Sequence, residues 1–390
     1  MTKPRTYSRT HPWITFTLNY EKFIYKHWLL LGEAQSKCEH VANVPLMPGV
    51  AEEFYKLSLI KGALATTAIE GNTLTQEEVR KRIEGKLKLP PSREYLGQEI
   101  DNIVNACNNI TDTLFEKKIT KLSIEQILEF NAFVLKDLPM SEEIVSGQFR
   151  NFDVSVGNYL GAPSEDCEYL TSSLCEWLNN DFSILPNYEI AFGIVKAILA
   201  HLYIAWIHPF GDGNGRTARL LEFQILLSAG IPTANAHLLS NHYNKTRTEY
   251  YRHLDKACKT TDGVYQFVEY ALQGFVDGLR EQIDMIKDQQ LQVHWINYIH
   301  DYFREKKGQV NDRRKHLLID LSYKPGFVPI DSILELSPRV AVEYAKKTPK
   351  TVSRDLKYLE SLGLIVRELD GVRSKREIIL AFRSPAVKRE

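Results

Sequence analysis

Cysteine is scarce in this 390-residue chain. The five cysteines, at positions 38, 107, 167, 175 and 258, are odd in number and contain no C-x-x-C pair. That argues against a disulfide framework and against a cysteine zinc site, and it suits a reducing compartment. No excess of one charge exists, since Lys+Arg and Asp+Glu both count 49. No apolar h-region follows the opening Met-Thr-Lys-Pro-Arg-Thr-Tyr, so a secretion signal is not expected and a cytoplasmic location is. No long apolar run is free of polar interruption: the longest, near 190–207, carries Lys196 and His201 mid-span and reads as a buried helix, not a membrane span. What remains is a globular chain, 44% apolar, with material for two or three domains.

What the chain does have is one stretch that organises the rest, His208-Pro-Phe-Gly-Asp-Gly-Asn-Gly-Arg-Thr-Ala-Arg219, set between two apolar runs. The upstream run, Ala191 to Ile207, predicts a helix that stops at His208-Pro209, where proline removes an amide donor and disfavours helix at its predecessor. Gly211, Gly213 and Gly215 permit positive φ and, with Asn214, a concave nest of amides. A second helix is predicted from near Arg216 to Leu227, stopped by Gly230-Ile-Pro232. Its N-terminus, the free amides and two arginines one turn apart, Arg216 and Arg219, are what a polyphosphate requires. Asp212 offers a hard carboxylate oxygen for Mg²⁺. His208 is the side chain of this group that can take up a proton near neutral pH.

This window resembles the signature of the Fic family, His-Pro-Phe-x-(Asp/Glu)-Gly-Asn-Gly-Arg-x-x-Arg, and fills all nine fixed positions. The resemblance implies a protein adenylyltransferase, a nucleotidyltransferase that moves AMP from ATP to a Ser, Thr or Tyr hydroxyl of a protein, itself included. It implies His208 as general base and Asp212 as the Mg²⁺ ligand. It implies an ATP-binding run of Gly213, Asn214, Gly215, Arg216, Thr217, Ala218 and Arg219, in which the amides and the Asn214 side chain meet the α-phosphate, Arg216 the β-phosphate side and Arg219 the γ-phosphate. Tyr250 and Tyr251 match a family position that lines the nucleoside pocket, while Cys258 stands where some relatives carry an asparagine for adenine. Upstream, Thr66-Thr-Ala-Ile-Glu70-Gly71 resembles the family's inhibitory motif, (Ser/Thr)-x-x-x-Glu-(Gly/Asn), and lies at a predicted helix end. The resemblance makes Glu70 an inhibitory residue that competes with ATP for Arg219.

The expected fold is mainly α: a Fic-type helical core with a small β-hairpin flap, followed by a small α/β winged-helix domain. The expected division is an N-terminal helical region at 1–115, a catalytic core at 116–290, and a linker helix with the winged helix at 291–390. Helical periodicity runs from about Glu52 to Glu70-Gly71, from Gln76 to Gly85 behind a Thr75/Glu78 capping box, from Glu94 to Leu114, from Ile124 to Leu138, and from Val264 to about Glu305. Phe152–Val156, a Gly157-Asn158 turn and Tyr159–Leu160 predict the hairpin, which in the family holds the target segment by backbone pairing. Near the end, a helix from Pro349 to Gly363 precedes strand-like runs Leu364–Leu369 and Glu377–Phe382 around a basic turn, Asp370–Arg376. This resembles a winged helix, with Thr351, Ser353, Arg354 and Lys357 on the exposed side of the recognition helix.

From Arg304 onward there are 20 Lys/Arg against 12 Asp/Glu, a basic end that suits DNA or an acidic protein partner. A homodimer stays open, and no membrane partner is expected. Two other readings stand beside AMP transfer: a nucleotide-responsive winged-helix transcription regulator that uses the loop as an ATP sensor, and removal of AMP, with Glu70 positioning a hydrolytic water.

Overall fold

The structure, a computed structural model, describes residues 5–117, 121–157, 159–182 and 185–380. Asn158 of the predicted turn, residues 1–4 of the opening segment and positions 381 and 382 of the last predicted strand lie outside the described residues. The chain divides into two compact units, Met1–Gln282 and Ile283–Glu390.

The first unit is a helical bundle around α8 (Glu189–Ile207) and α9 (Asn214–Ser228), which pack along each other. α8 is apolar all round because it is surrounded. Among the described residues it is the helix long and apolar enough to cross a membrane, yet 89% of its apolar window is buried inside the unit. Around this pair lie α1 (Tyr7–Thr10), α2 (Tyr25–Ala42), α3 (Pro48–Ala68), α4 (Gln76–Ile83), α5 (Glu94–Lys117), α6 (Ile124–Leu135) and α7 (Cys167–Glu176). α10 (Leu238–Lys245), α11 (Arg247–Lys259) and the first part of α12 (Gly263–Phe303) complete the bundle. The segments expected as separate regions at 1–115 and 116–290 share this core: α3 packs on α10 and α9, and α5 on α6 and α9.

Local signals set the ends of these helices. α3 begins at Pro48, in the first turn where proline's missing amide costs nothing, and ends before Gly71, whose φ of 105° turns the chain away. α4 opens on the predicted capping box: the Glu78 amide donates to Thr75 Oγ1, and the Thr75 amide to the Glu78 carboxylate. The seven-residue gap between them, Ile69 to Thr75, carries Glu70 to Asn72, so the helix stop that the sequence marks is also what presents Glu70.

β1 (Ser155–Val156) and β2 (Tyr159–Leu160) pair antiparallel, Ser155 opposite Leu160 and Val156 opposite Tyr159. β1 is shorter than the predicted Phe152–Val156 because the Phe152 carbonyl accepts from Arg150 Nη1 at 2.6 Å instead of entering a ladder. The Gly161 amide donates to the Val154 carbonyl at 3.0 Å, so the polar backbone groups of Ser155 and Leu160 point outward from the ribbon. His11, just after α1, closes one of those edges: its Nε2 lies 2.9 Å from the Leu160 carbonyl.

The second unit contains α13 (Gln309–Ser322), a 3₁₀ turn at Ile330–Glu335, α14 (Pro338–Tyr344), α15 (Pro349–Ser361) and a hairpin of β3 (Ile365–Glu368) with β4 (Gly371–Ser374). A bridge pairs Val328 with Val372. Its centre is one carboxylate: Asp355 accepts from Arg313 Nε and Nη2 at 2.9 and 2.7 Å, from Arg314 Nε at 2.8 Å and from the Tyr344 hydroxyl at 3.1 Å. The second strand differs from the sequence expectation. Residues 371–374, predicted as turn, form β4, and 377–379, predicted as the start of a strand, lie in a 3₁₀ turn, Arg376–Ile379. The cause is Gly371, at φ 133°, where a Cβ would collide with the Val328 carbonyl oxygen; only glycine lets the two segments close, and Val372 follows into the core.

Candidate active site

The loop between α8 and α9 takes its shape from residues far away in sequence. α8 stops at His208, which adopts a left-handed conformation, φ 50° and ψ 58°, unusual for a side chain other than glycine or asparagine. The exposed carbonyls of that helix end meet the buried guanidinium of Arg150: Nε donates to the His208 carbonyl at 2.7 Å, and Nη2 to the Ala162 carbonyl. Arg150 thereby ties the base of the hairpin to the helix C-terminus, where a cation is favoured. From the other side Asn131 of α6 donates to the Asp212 carbonyl at 2.9 Å and accepts from the Gly147 amide at 3.0 Å. Phe210 is buried, stacked on Phe149 with ring centroids 5.9 Å apart.

Asn214 closes the turn. Its Oδ1 accepts from the Phe210 amide at 2.9 Å and its Nδ2 donates to the Phe210 carbonyl at 2.8 Å. The side chain expected to reach a phosphate is thus engaged in holding the loop, and the nest is left to the backbone. Gly213, at φ 78°, precedes the first turn of α9, whose amides open toward the cavity.

That anion cradle faces a carboxylate. Glu70 Oε1 accepts from Arg219 Nη2 at 2.6 Å, and a Cβ on Gly215 would collide with the same oxygen. The Glu70 carboxylate therefore sits on the backbone at the N-terminus of α9. Although burial opposes its charge, Arg219 and then Arg216 hold the Glu70 carboxyl below the usual range. Arg219, itself buried, also donates to the Thr66 carbonyl at 2.8 Å, while its Nε and Nη1 have no hydrogen-bond partner. Arg216 is held by two carboxylates, Glu99 Oε1 at 2.9 Å and Asp212 Oδ1 at 3.3 Å. Asn72, two residues after Glu70, donates to the other Glu99 oxygen at 2.8 Å. Burial raises the Glu99 carboxyl above its usual range against the pull of Arg216, and the charges of Asp212 and Glu70 add to the rise. Three carboxylates thus gather around two guanidinium groups.

His208 faces the same space. Burial pushes its imidazole down to about 4, so it is neutral at pH 7 and able to accept a proton. Its Nδ1 lies 3.4 Å from the Ala205 carbonyl; a proton held there leaves Nε2 as the basic nitrogen.

A cavity of about 840 Å³ joins these groups, lined by Glu70, His208, the run from Gly211 to Gly215, the β1 residues with their flanks, and Tyr250, Tyr251 and Asp255. Of the predicted site residues, the structure brings Glu70, His208, Asp212, Gly213, Asn214, Gly215, Tyr250 and Tyr251 to this wall. Arg216 and Arg219 lie behind it, held by their carboxylates. Thr217 and Ala218, expected in the ATP-binding run, are wholly buried on the inner side of α9 and do not reach the cavity. The two tyrosines differ: Tyr250 is buried with its hydroxyl 2.8 Å from His201 Nε2, whereas Tyr251 is 40% exposed and offers a ring face. Sequence reading missed Arg150, Asn131, Glu99 and Asn72. The available signal was weak: a polar residue inside an otherwise apolar helical run for Asn131, none that sets Glu99 apart from the polar residues beside it, and a short Gly147-Gln-Phe-Arg150 segment before the hairpin.

Residues 121–226 match the family model of the Fic/DOC family. This chain carries a Fic domain. Similar sequences include a "Protein adenylyltransferase Fic" of Nematostella vectensis, 28% identical over 228 residues, covering 58% of this chain and 50% of that protein. Another, from Drosophila ananassae and of the same name, is 33% identical over 172 residues, covering 43% and 32%. The chain thus spans half or less of the length of these curated relatives. Among solved structures, a Fic family protein from Desulfovibrio desulfuricans G20 aligns over 89% of this chain and 92% of its own, with a TM-score of 0.55 at 21% identity, a likeness of fold. Fic-1 (aa134–508) from C. elegans aligns over 67% of this chain and 73% of its own, with a TM-score of 0.53 at 25% identity. The α8–α9 loop lies within the matched residues, and the segment that supplies Glu70 lies before them.

Proposed function

We propose that this chain transfers AMP from ATP to a protein hydroxyl and that Glu70 holds the reaction in check. The observation that carries the reading is the shared cavity: a neutral imidazole, a backbone anion nest and a carboxylate seated on that nest all open into one space beside a hairpin edge. The name of the relatives, protein adenylyltransferase, supports it.

The chemistry follows from the placement. A target segment pairs with the outward backbone groups of Ser155, which brings a hydroxyl alongside His208. Nε2 takes the hydroxyl proton as the oxygen forms its bond to the α-phosphorus, the bond from that phosphorus to the bridging oxygen breaks, and pyrophosphate leaves with the electron pair. Amides at Asn214 and Gly215 receive the charge developing on the α-phosphate, fixed in place before reaction by the Asn214 side chain and Asn131, while the Gly213 amide, which donates to Asp212 Oδ1, joins them once that carboxylate turns to the cation. Arg219, once released by Glu70, turns its unpartnered Nε and Nη1 to the γ-phosphate. Tyr251 offers its exposed ring to the base. Asp212 fits Mg²⁺: its side chain is 51% exposed on the cavity wall and its Oδ2 is not taken by Arg216, which suits a cation held by one carboxylate, phosphate oxygens and waters. Bound there, Mg²⁺ supplies charge neutralisation on the phosphates.

The test is incubation with α-³²P-ATP and Mg²⁺, with and without cell lysate, followed by detection of labelled protein. His208→Ala is expected to lower labelling by about 10²- to 10⁴-fold while nucleotide binding persists. Undiminished labelling overturns the base assignment, and no label from either the parent or a Glu70→Gly variant overturns the activity. AMP removal is the second reading, favoured by one observation: the Glu70 carboxylate lines the cavity and is 32% exposed, open to a water. Release of AMP from a labelled protein by the parent but not by Glu70→Gly would establish it.

A further inference from the structure

We propose that the second unit binds duplex DNA through the outer face of α15 and that its β-hairpin contributes little to that binding. Lys350, Arg354 and Lys357 are all exposed and follow one another at helical spacing, four and then three residues apart. They form one stripe about 10 Å long on α15. Lys346 and Lys347, also exposed, extend the stripe beyond the start of the helix. None of these five cations takes part in an ion pair among the described residues.

Neighbouring arginines are treated differently. Arg313 and Arg314 are neutralised by Asp355, Arg339 by Asp320, Arg373 by Glu377 and Arg376 by Asp288. The unit therefore has carboxylates to hand and leaves this face, where five cations lie together, without them; the exposed carboxylate of α15, Glu360, lies near its far end. Solvated like charges this close repel one another, a cost that a polyanion removes.

The helix is also held firmly. Its inner face buries Val352, Leu356 and Leu359, and Asp355 anchors it to α13 through two arginines. A rigid basic stripe of one helix's width suits the major groove, about 12 Å across, and duplex DNA carries one charge per about 1.7 Å, enough to meet every cation of the stripe. Thr351 and Ser353, partly exposed beside it, add hydroxyl donors for phosphate oxygens. The hairpin offers less: Arg367 of β3 is exposed and in no ion pair among the described residues, but it stands alone. Arg373 donates to both oxygens of Glu377, and Arg376 meets Asp288 and Gln292, so neither guanidinium is free for a phosphate. Lys375, between them, is partly buried.

The proposal is independent of AMP transfer, and its test keeps the two apart. Fluorescence anisotropy of the full chain against a labelled duplex of about 30 base pairs, from about 50 to 200 mM salt, should show affinity falling with a log–log slope of about −3 to −5, one phosphate per cation. The triple variant Lys350→Glu, Arg354→Glu, Lys357→Glu should lose at least about 100-fold in affinity at low salt, with thermal unfolding unchanged. Arg373→Ala with Arg376→Ala should bind within about twofold of the parent, and His208→Ala should bind as the parent does. Absence of binding at low salt, equal binding by the triple variant, or a loss confined to the hairpin variant overturns the proposal. So does polyglutamate displacing the duplex at equal charge concentration, which would make the stripe a docking face for acidic protein.

Discussion

Each unit of this protein buries a cluster of arginines, and the two clusters are finished differently. In the second unit Arg313 has Nε and Nη2 on one oxygen of Asp355, with the Tyr344 hydroxyl on the same oxygen and Arg314 Nε on the other closing the set. In the first, Arg219 is just as buried but places only Nη2, on Glu70 and Thr66, and leaves Nε and Nη1 without a partner; Arg216 likewise leaves Nε. A buried donor left unmade costs about 1–3 kcal/mol, so a fold that tolerates three beside this cavity is holding them for something else. Completeness separates an arginine that builds from an arginine that binds.

Breaking the complete cluster should have the largest effect. Asp355→Ala strands two guanidinium groups in a buried setting and is expected to destabilise the second unit by about 3–5 kcal/mol, read from its urea unfolding midpoint. A loss under about 1 kcal/mol would mean that this cluster, too, is dispensable to the fold.

The incomplete cluster should respond in the opposite sense. Glu70→Gly removes the competitor for Arg219 and is expected to raise self-labelling by at least about tenfold, a barrier change of about 1.4 kcal/mol, with Glu70→Asp intermediate. Its melting temperature should drop without nucleotide and recover with ATP, because ATP then supplies the partner that Glu70 supplied. Labelling no faster than the parent across a range of ATP concentrations would remove the inhibitory role.

Glu99 sharpens the same comparison at a smaller scale. Glu99→Gln keeps the shape but removes one of three negative charges around the phosphate site, and ATP should bind about two- to threefold more tightly by equilibrium dialysis. If affinity is unchanged and only the melting temperature falls, Glu99 belongs with Asp355.

The smallest effect concerns pH. With its imidazole held near 4 by burial, His208 stays neutral throughout the neutral range, so labelling by Glu70→Gly should be level from about pH 6 to 8; the loss of the Glu70 charge lowers the imidazole further. An acid limb centred near 6.5 would show that the ring is solvated when it reacts. Stability has its own window. His208, His237 and His242 all sit near 4 in the folded chain, each because of burial. The unfolded chain, with histidines near 6.5, binds more protons between those values, so stability is lost as pH falls from about 6.5 toward 4.

How far the sequence carried can be traced residue by residue. The α8–α9 loop was legible because its requirements are local: a proline to end a helix, glycines to turn amides inward, a helix start behind them. Glu70 was legible because Gly71 and the Thr75/Glu78 box mark its helix stop. Arg150, Asn131 and Glu99 were not, since each acts on a partner 58, 81 or 117 positions away, and nothing in its own neighbourhood records that partner. Thr217 and Ala218 were legible only as members of a run, not by the direction their side chains take. A window of consecutive residues on a helix must turn some of them inward, and these two face the core. In the second unit Ile378 and Ile379 looked like strand because of their β-branched side chains, but the close approach of Gly371 to Val328 had already assigned the pairing to residues 371–374.

Gly215 carries one more consequence. The volume that a methyl group would take there is the volume in which the Glu70 oxygen rests, beside the first turn of α9. On the proposed function, brake and substrate draw on one place. A side chain at 215 that expelled the carboxylate would then expel the nucleotide with it, so a substitution at this position should not raise labelling as Glu70→Gly does. Release would have to come from the far side, by moving the segment between α3 and α4 that delivers Glu70.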